Sequence, residues 1–416
     1  MYRIIYLAAL NKKKIINDPV YGFINIPFPL VFDLISHPYF QRLRYVKQLG
    51  MTHLVYPGAL HTRFHHALGA MHLMSLAIEV LRGKGHEVTK AEEEAATIAI
   101  LLHDIGHGPF SHALEHTLVK GIKHEDLSIF IMEKLNIEFG GQLSAAIAVF
   151  KGDCQKKFLH QLISSQLDLD RMDYLNRDSF FTGVSEGVIS FDRIIKMFNV
   201  VDDHLVIEEK GIYSIENFLI SRRLMYWQVY LHKTVIAGEQ LLVKILERAR
   251  ELALKGESLF ATPALQHFLT NRISEAEFFG QELHLKQFMK LDDQDIFASI
   301  KVWEDHPDDI LARLCTMLTS RNLYKIEITN HAPEEGRLEL LQEEVASVLR
   351  ISLKEARYFV FKDVIRNRAY NAGTGNINIL LKNNKLIDIA KASDLSNLES
   401  LDKTVKKHIL CYPRII

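Results

Sequence analysis

Cysteine is scarce in this 416-residue chain, which has only Cys154, Cys315 and Cys411. The three lie far apart and are odd in number, so they form neither a zinc pattern nor a disulfide framework, and we expect a cytoplasmic protein. Charge of one sign is also lacking, because 50 Lys and Arg residues face 51 Asp and Glu residues, for a net charge of −1. The overall charge therefore gives no reason to expect nucleic acid or a membrane as a partner.

Long hydrophobic runs and familiar nucleotide-binding loops are absent as well. The apolar run at residues 1–10 is too short to span a bilayer and is followed by three lysines, so we interpret it as an unstructured or packed lead-in rather than a weak signal peptide. The sequence has no G-x-x-x-x-G-K-S/T loop and no dinucleotide fingerprint. A kinase or dehydrogenase function is therefore without support.

Histidine, in contrast, is plentiful and clustered. Of the 20 histidines, 11 lie between His53 and His124, and this ring suits metal binding and proton transfer near neutral pH. The most informative segment is LLHDIGHGPFSH at residues 101–112, where His103 and Asp104 end an apolar run. Adjacent side chains of these two types can reach one metal ion, which indicates hydrolytic phosphate chemistry.

Helical patterns dominate the first 330 residues. Residues 92–103 begin with three glutamates and continue as an apolar run, which predicts a buried helix that ends before the glycines at 106 and 108. Further helices are predicted over residues 63–81, 159–178 and 215–253.

Strand patterns are sparse and come late. Hairpins are predicted over residues 200–213 and 376–389, and the polar stretch 329–338 is the candidate domain boundary. We therefore predict a mostly α fold in which residues 1–330 form a helical catalytic domain with its core at about 40–255. Residues 331–416 are predicted to form a small mixed α/β region of unknown role.

Four residues could hold one ion. His66 lies near the start of a predicted helix, His103 and Asp104 end the next, and Asp170 lies on a third. A mixed nitrogen and oxygen site suits iron, manganese, zinc, nickel or cobalt better than calcium, and the ion would polarise a phosphoryl group and activate water. Each residue also has a structural alternative, since a histidine can bond a backbone carbonyl and an aspartate can pair with a nearby arginine.

The spacing of these residues resembles a known superfamily. His66 is followed after 36 residues by His103-Asp104 and after 65 more by Asp170, as in the His…His-Asp…Asp signature of the HD-domain phosphohydrolases. The resemblance is closest to the deoxynucleoside triphosphate (dNTP) triphosphohydrolases of the SAM-and-HD-domain type and runs from about residue 15 to about residue 324. The matching blocks are FQRLRYVKQLG at 40–50, YPGALHTRFHH at 56–66, and residues 103–112, 168–178 and 230–233.

The resemblance implies a reaction and a set of roles. A metal-assisted water would attack the α-phosphorus of a dNTP and release a deoxynucleoside and intact triphosphate, with one divalent transition metal per chain and additional Mg²⁺ on the triphosphate. The implied metal ligands are His66, His103, Asp104 and Asp170. The implied catalytic groups are His112 as acid or base, Glu115 orienting it, His124 as phosphate ligand or alternate acid, and His107. The implied substrate contacts are Gln48, Leu49, Arg63, Tyr174, Asp178, Arg222, Tyr230 and Lys233.

The chain also departs from the pattern of that family. The SAM domain is absent, and Ser36 and Phe23 replace an acidic residue and a histidine of the activator-binding pattern, although Gln41 and Arg44 match it. Activation by a nucleotide, and by a guanine nucleotide in particular, is therefore not predicted. A homo-oligomer, dimer or tetramer, is what the family resemblance implies.

Two alternatives remain. The chain could be a different HD phosphohydrolase, a nucleotidase or phosphodiesterase, with a second metal bound through His107, His112 or His124. A catalytically silent nucleotide-sensing or nucleic-acid-binding module ranks lower, because all four ligand positions are present and the net charge is nearly neutral.

Overall fold

The computed structural model describes residues 14–110, 117–118, 121–367, 375–394 and 405–414. This part of the chain is mostly helical, with 19 α-helices and small sheets, which confirms the predicted fold class. In chain order the helices are α1 (Pro29–Ser36), α2 (Pro38–Gln41), α3 (Arg63–Gly83), α4 (Lys90–Leu102), α5 (His124–Glu138), α6 (Ser144–Lys151), α7 (Lys157–Gln161), α8 (Leu169–Thr182), α9 (Phe191–Lys196), α10 (Ile212–Met225), α11 (Lys233–Leu254), α12 (Pro263–Thr270), α13 (Glu275–Gly280), α14 (Glu282–Phe288), α15 (Asp293–Trp303), α16 (Asp309–Thr319), α17 (Arg337–Leu349), α18 (Leu353–Ala356) and α19 (Ile389–Ala392).

Helix α3 is a core helix with a functional first turn. By length and composition alone it is apolar enough to cross a membrane, but 67% of its most apolar window is buried inside the protein. The Thr62 side chain and His65 form a capping box at its start, which fixes where the helix begins. Its first turn therefore holds Arg63 and His66 in place at one end of the core.

Helix α4 ends immediately before the adjacent residues His103 and Asp104. Thr89 and Glu92 form its capping box, and the buried apolar remainder packs against α3 and α6 until the helix stops at Leu102. The following turn is held by Ser128 of α5, whose hydroxyl accepts from Gly106 N (3.0 Å) and donates to His103 O (2.7 Å). A Cβ at Gly106 would overlap the backbone of α5, so only glycine allows this approach.

Two predicted helices are broken in the structure. The segment predicted as one helix over 159–178 is instead α7, a loop, and α8, because Asp168 accepts from Ser165 N and Arg171 N and so caps a new helix. The segment 215–253 is interrupted after α10 by a π-helical turn over Tyr226–Tyr230, and the ring of His232 then caps α11. Polar caps and a widened helical turn cause the two interruptions. The periodicity of apolar residues, from which the helices were predicted, contains no signal for either feature.

The strands of the described part of the chain form three small sheets. They are β1 (Ile15–Asp18), β2 (Gly22–Asn25), β3 (Phe198–Val201), β4 (His204–Glu208), β5 (Lys325–Thr329), β6 (Phe361–Asn367), β7 (Asn378–Leu380), β8 (Leu386–Asp388) and β9 (Val405–Tyr412). Their orders are β1-β2, β3-β4-β7-β8 and β5-β9-β6.

Both late sheets include strands from either side of residue 330. Strand β4 pairs in parallel with β7, and β5 pairs antiparallel with β9. The predicted hairpin over 376–389 is present as β7 and β8. That over 200–213 is shorter than expected, because its turn is Asp202-Asp203 and α10 begins at Ile212. The division at residue 330 stays a prediction, and the lead-in at 1–10 lies outside the described residues.

Candidate metal centre and substrate site

Three helices bring His66, His103 and Asp170 together. His66 comes from the first turn of α3, His103 from the end of α4 and Asp170 from the first turn of α8. His66 Nε2 lies 3.3 Å from His103 Nε2 and 3.1 Å from Asp170 Oδ1, and His103 Nε2 lies 3.5 Å from the same oxygen. Three of the four predicted metal ligands therefore lie close together, and their candidate ligand atoms are within 4.8 Å of one another.

The geometry of this group fits a divalent cation. His66 Nδ1 lies 2.7 Å from Asp173 Oδ2 and His103 Nδ1 lies 2.6 Å from Ile100 O; both oxygens only accept, so the Nδ1 atoms carry the protons. The Nε2 atoms of both rings lie close to Asp170 Oδ1 and would be the ligand atoms for a cation. Ligand atoms about 2.1 Å from a shared ion lie roughly 3.0–3.4 Å apart, which is close to the spacing observed here.

Asp104 lies beside this group and connects it to a second set of basic side chains. Its Oδ1 is 3.4 Å from His103 Nε2 and 3.2 Å from His107 Nε2, and its Oδ2 accepts from Arg63 NH1 at 2.6 Å. The ring of His124 stacks on that of His107 with their centroids 3.9 Å apart. The adjacent carboxylate of the His-Asp pair therefore joins the ion-binding group to Arg63 and His107.

Electrostatics at the centre favour positive charge. Burial lowers the pKa of His66, but hydrogen bonds to Asp170 and Asp173 outweigh it and raise the pKa to about 10. Burial raises the pKa of Asp170, but contacts with His103 and His66 lower it far more. Burial, reinforced by the charge of Arg63, holds the pKa of His107 well below its ordinary value. The negative charge of Asp170 and Asp173 therefore draws positive charge to this group, and a bound cation would take the place of the proton on His66 Nε2.

A buried series of hydrogen-bonded side chains holds the Nδ1 side of the His66 ring. Arg177 Nε donates to Asp173 Oδ2 and its NH2 to Asp173 Oδ1, both at 2.9 Å, while its NH1 donates to Asp18 Oδ2 at 2.7 Å. A Cβ at Gly69 of α3 would overlap Asp173 and Arg177, so glycine is required for this close packing. The chain His66, Asp173, Arg177, Asp18 fixes the imidazole ring and its tautomer.

Four of the predicted substrate contacts lie on neighbouring segments that are linked by hydrogen bonds. They are Gln48, Leu49, Asp178 and Tyr230. Gln48 N donates to His61 O at 3.0 Å, and His61 Nε2 lies 2.8 Å from Asp178 Oδ1. Tyr230 of the π-helical turn donates its hydroxyl to Asp178 Oδ2 at 2.7 Å. Leu49 is half-buried beside Gln48. Burial and then Asp178 raise the pKa of Tyr230, so the phenol remains a donor.

The remaining predicted contacts are placed as follows. Tyr174 is half-buried and packs edge-on against Tyr230, with ring centroids 6.2 Å apart. Arg222 is buried and its NH1 contacts Gln166 Oε1 at 3.4 Å, whereas Lys233 is exposed at the start of α11. His112 and Glu115 lie outside the described residues, so their roles stay predictions.

Several buried polar atoms on this substrate side lack a partner among the described residues. These atoms are Gln48 Oε1, Arg63 Nε, Arg171 Nε, Arg222 Nε and His61 Nδ1. A buried donor or acceptor without a partner costs about 1–3 kcal/mol, so a ligand that formed hydrogen bonds with these atoms would remove that cost.

The sequence reasoning missed four supporting residues. His61, Arg177 and Asp18 were not assigned to the site, and neither was Asp173. Asp173 and Arg177 have the i, i+4 spacing of a helical ion pair, which was a usable signal. His61 lies in the histidine cluster and in the matching block 56–66, whereas Asp18 had no such signal because it joins the site only through the fold.

Comparison with known proteins places these elements in context. A family model described as HD domain matches residues 63–178, and one described as HD associated region matches residues 189–268. The uncharacterised protein YwfO of Bacillus subtilis is 33% identical over 98% of this chain and 94% of its own length. A crystal structure of a phosphohydrolase from Bacteroides thetaiotaomicron is 53% identical, with a TM-score of 0.94 over 97% of this chain and all of that one.

More distant relatives carry a specific name. The deoxynucleoside triphosphate triphosphohydrolase SAMHD1 homolog of Dictyostelium discoideum is 34% identical over 54% of this chain. The human SAMHD1 protein, named as the same enzyme, is 31% identical over 54% of this chain. The chain spans 47% and 42% of the lengths of these two relatives.

Proposed function

The chain belongs to the HD-domain phosphohydrolase superfamily, and from that premise we propose that it hydrolyses dNTPs to a deoxynucleoside and triphosphate. The observation that carries the proposal is the convergence of His66, His103 and Asp170 next to a region of unpartnered buried arginine and amide atoms. The relatives named as deoxynucleoside triphosphate triphosphohydrolases support the choice of substrate.

His66, His103 and Asp170, with Asp104 beside them, would hold one divalent transition metal. When bound, such an ion would polarise the phosphoryl group and lower the pKa of the attacking water. Both histidines are preset for this role because their Nδ1 atoms are already engaged with Asp173 and Ile100. The ion could be iron, manganese, zinc, nickel or cobalt, and Mg²⁺ could accompany the triphosphate.

Chain residues around the metal would bind the rest of the nucleotide. Arg63 and Arg222 each have a buried Nε without a partner among the described residues, which suits phosphate oxygens. Asp178 and Gln48, connected through His61, would hold the sugar hydroxyl. His112, oriented by Glu115, would give a proton to the 5′-oxygen as it leaves.

The reaction products test the proposal directly. The protein is incubated with each dNTP and Mn²⁺, Co²⁺, Ni²⁺, Fe²⁺ or Mg²⁺, and the products are separated by anion-exchange chromatography. Intact triphosphate and deoxynucleoside are expected in equal amounts. Orthophosphate or pyrophosphate as the initial product would contradict cleavage at the α-phosphorus.

A two-metal phosphohydrolase is the second candidate. Asp104 Oδ1 faces both His103 Nε2 and His107 Nε2, so this carboxylate could bridge two ions. Metal analysis separates the two candidates, since one ion per chain supports the first and two ions support the second. A nucleotide substrate, a homo-oligomer and a cytoplasmic location are parts of the same proposal.

A further inference from the structure

We propose that Arg42 and Asp293 are positioning residues through which the segment Leu285–Trp303, which lies outside both matching family models, braces the two loops of the proposed active site. The first loop is His103–Phe110, which contains the His-Asp pair, and the second is Lys47–Gly50, which contains Gln48. The inference rests on the proposed function only for the nature of the substrate, not for the metal centre.

Arg42 ties the segment to the metal loop. Its NH2 donates to Ile105 O at 3.0 Å and His107 O at 2.7 Å, and its NH1 donates to Leu291 O at 3.1 Å. The guanidinium also lies over the ring of Phe288, 5.3 Å from its centroid. One rigid fork therefore joins two carbonyls of the metal loop to a carbonyl and a ring of the segment.

The chemistry of Arg42 is unusual for a residue that serves stability alone. The side chain is buried, its hydrogen-bond partners among the described residues are neutral carbonyls, and burial lowers its pKa to about 10. Placing a charge there carries a desolvation cost that hydrogen bonds to carbonyls offset only in part. Fixing the geometry of the metal loop is a function that accounts for this cost.

Asp293 ties the segment to the substrate loop. Its Oδ2 accepts from Lys47 N at 3.1 Å and lies 3.7 Å from Lys47 Nζ. Lys47 immediately precedes Gln48, so the bond fixes the backbone that carries this predicted sugar contact. Asp293 is the first residue of α15, four residues before Phe297.

Phe297 connects the same helix to the end of the metal loop. Its ring packs edge-on against Phe110 with centroids 5.6 Å apart, and Lys47 Nζ lies 5.3 Å and 5.8 Å from the centroids of Phe297 and Phe110. Three side chains therefore connect the segment to the two loops: Arg42, Asp293 and Phe297. A small shift of the segment would move the metal loop and the substrate loop together.

Substitutions of the two residues should affect different measured quantities. Arg42→Lys retains the charge but cannot bond all three carbonyls, so Mn²⁺ affinity and kcat should each fall about 10- to 100-fold, as for other groups that orient metal ligands. Asp293→Ala frees the backbone at Lys47, so KM should rise about tenfold, the size of one lost hydrogen bond to a charged group, with kcat and Mn²⁺ affinity within about threefold.

The controls are matched in chemistry, and Arg248 is also matched in burial. Arg248 is also a buried arginine, but it pairs with Asp308 and Glu251 away from both loops, so Arg248→Met should lower the Tm without changing Mn²⁺ affinity. Asp309 is an exposed carboxylate paired with Arg313, so Asp309→Ala should change neither KM nor kcat.

Calorimetric titration of chelator-treated protein with Mn²⁺ and steady-state kinetics test the proposed roles of Arg42 and Asp293. Unchanged Mn²⁺ affinity in Arg42→Lys, or an equal loss in Arg248→Met, would overturn the role of Arg42. A fall in kcat without a rise in KM would overturn the role of Asp293. Because Mn²⁺ affinity does not depend on the substrate, a wild-type protein that binds Mn²⁺ but releases no triphosphate would refute the proposed function and leave the Arg42 test intact. The KM test would then use whichever phosphate ester the protein cleaves.

Discussion

The metal side and the substrate side of the site differ in how their buried polar atoms are satisfied. On the metal side, His66, Asp173 and Arg177 are linked by hydrogen bonds of 2.7–2.9 Å. On the substrate side, Gln48 Oε1, Arg63 Nε and Arg222 Nε are buried without partners among the described residues.

The difference indicates which part of the site the protein completes by itself. The hydrogen bonds that hold His66, Asp173 and Arg177 in place are all made within the protein. The substrate side retains hydrogen-bonding capacity at a cost in stability, and that capacity is available to a ligand. Variants on the metal side should therefore lose both stability and function, whereas variants on the substrate side should lose function alone.

The largest effect is expected at the ligand carboxylate. Asp170→Ala removes the oxygen on which both Nε2 atoms converge, so bound metal should be lost and turnover should fall by about a thousandfold or more. Metal content by mass spectrometry and triphosphate release are the measurements. Asp192→Ala, which removes an exposed carboxylate paired with Lys196, serves as the control. Retained metal and activity in Asp170→Ala would remove this residue from the ligand set.

The second effect concerns stability on the metal side. Arg177→Met leaves Asp173 and Asp18 buried without their cation, so the free energy of unfolding should fall by about 3–5 kcal/mol. Chemical denaturation measures it. Arg313→Met, which breaks the exposed pair with Asp309, should cost at most about 1 kcal/mol. Equal losses in the two variants would contradict the distinction between a buried network and a surface pair.

The third effect should appear on the substrate side only in kinetics. Arg222→Ala removes a buried guanidinium that makes one long hydrogen bond within the described residues, to Gln166 at 3.4 Å. We expect KM for the nucleotide to rise about 10- to 100-fold, as for a lost charged hydrogen bond, with unchanged metal content and little change in the free energy of unfolding. A large loss of stability would show that Arg222 belongs to the structural network instead.

The smallest effect is a dependence of stability on pH. Burial raises the pKa of Asp293 from 3.8 to about 6, and its Oδ1 has no partner among the described residues. The folded protein therefore binds more protons than the unfolded chain between these values, so this group's contribution to stability falls as the pH rises through 4–6. Relative to Asp293→Asn, wild-type protein should lose about 1 kcal/mol between pH 5 and pH 7. Parallel pH profiles of the two proteins would contradict the raised pKa.

The helical class and the residue types of the site could be predicted from the sequence because their signals are local. The apolar run before His103 and the glutamates at its start require a buried helix that ends near Leu102, as observed. His66, His103 and Asp170 were chosen by residue type and spacing, and the structure brings these three together.

The tertiary structure decided what no local pattern encodes. Helix 159–178 is broken by a side-chain cap at Asp168, and the chain from His66 to Asp18 exists only because Gly69 lets α8 approach α3. The brace through Arg42 joins residues 249 positions apart. Local propensity acts over a few residues, whereas hydrogen bonds and close packing act between any surfaces that the fold brings together, so the sequence alone determines the elements and the chemistry available, and only the folded chain determines which groups meet.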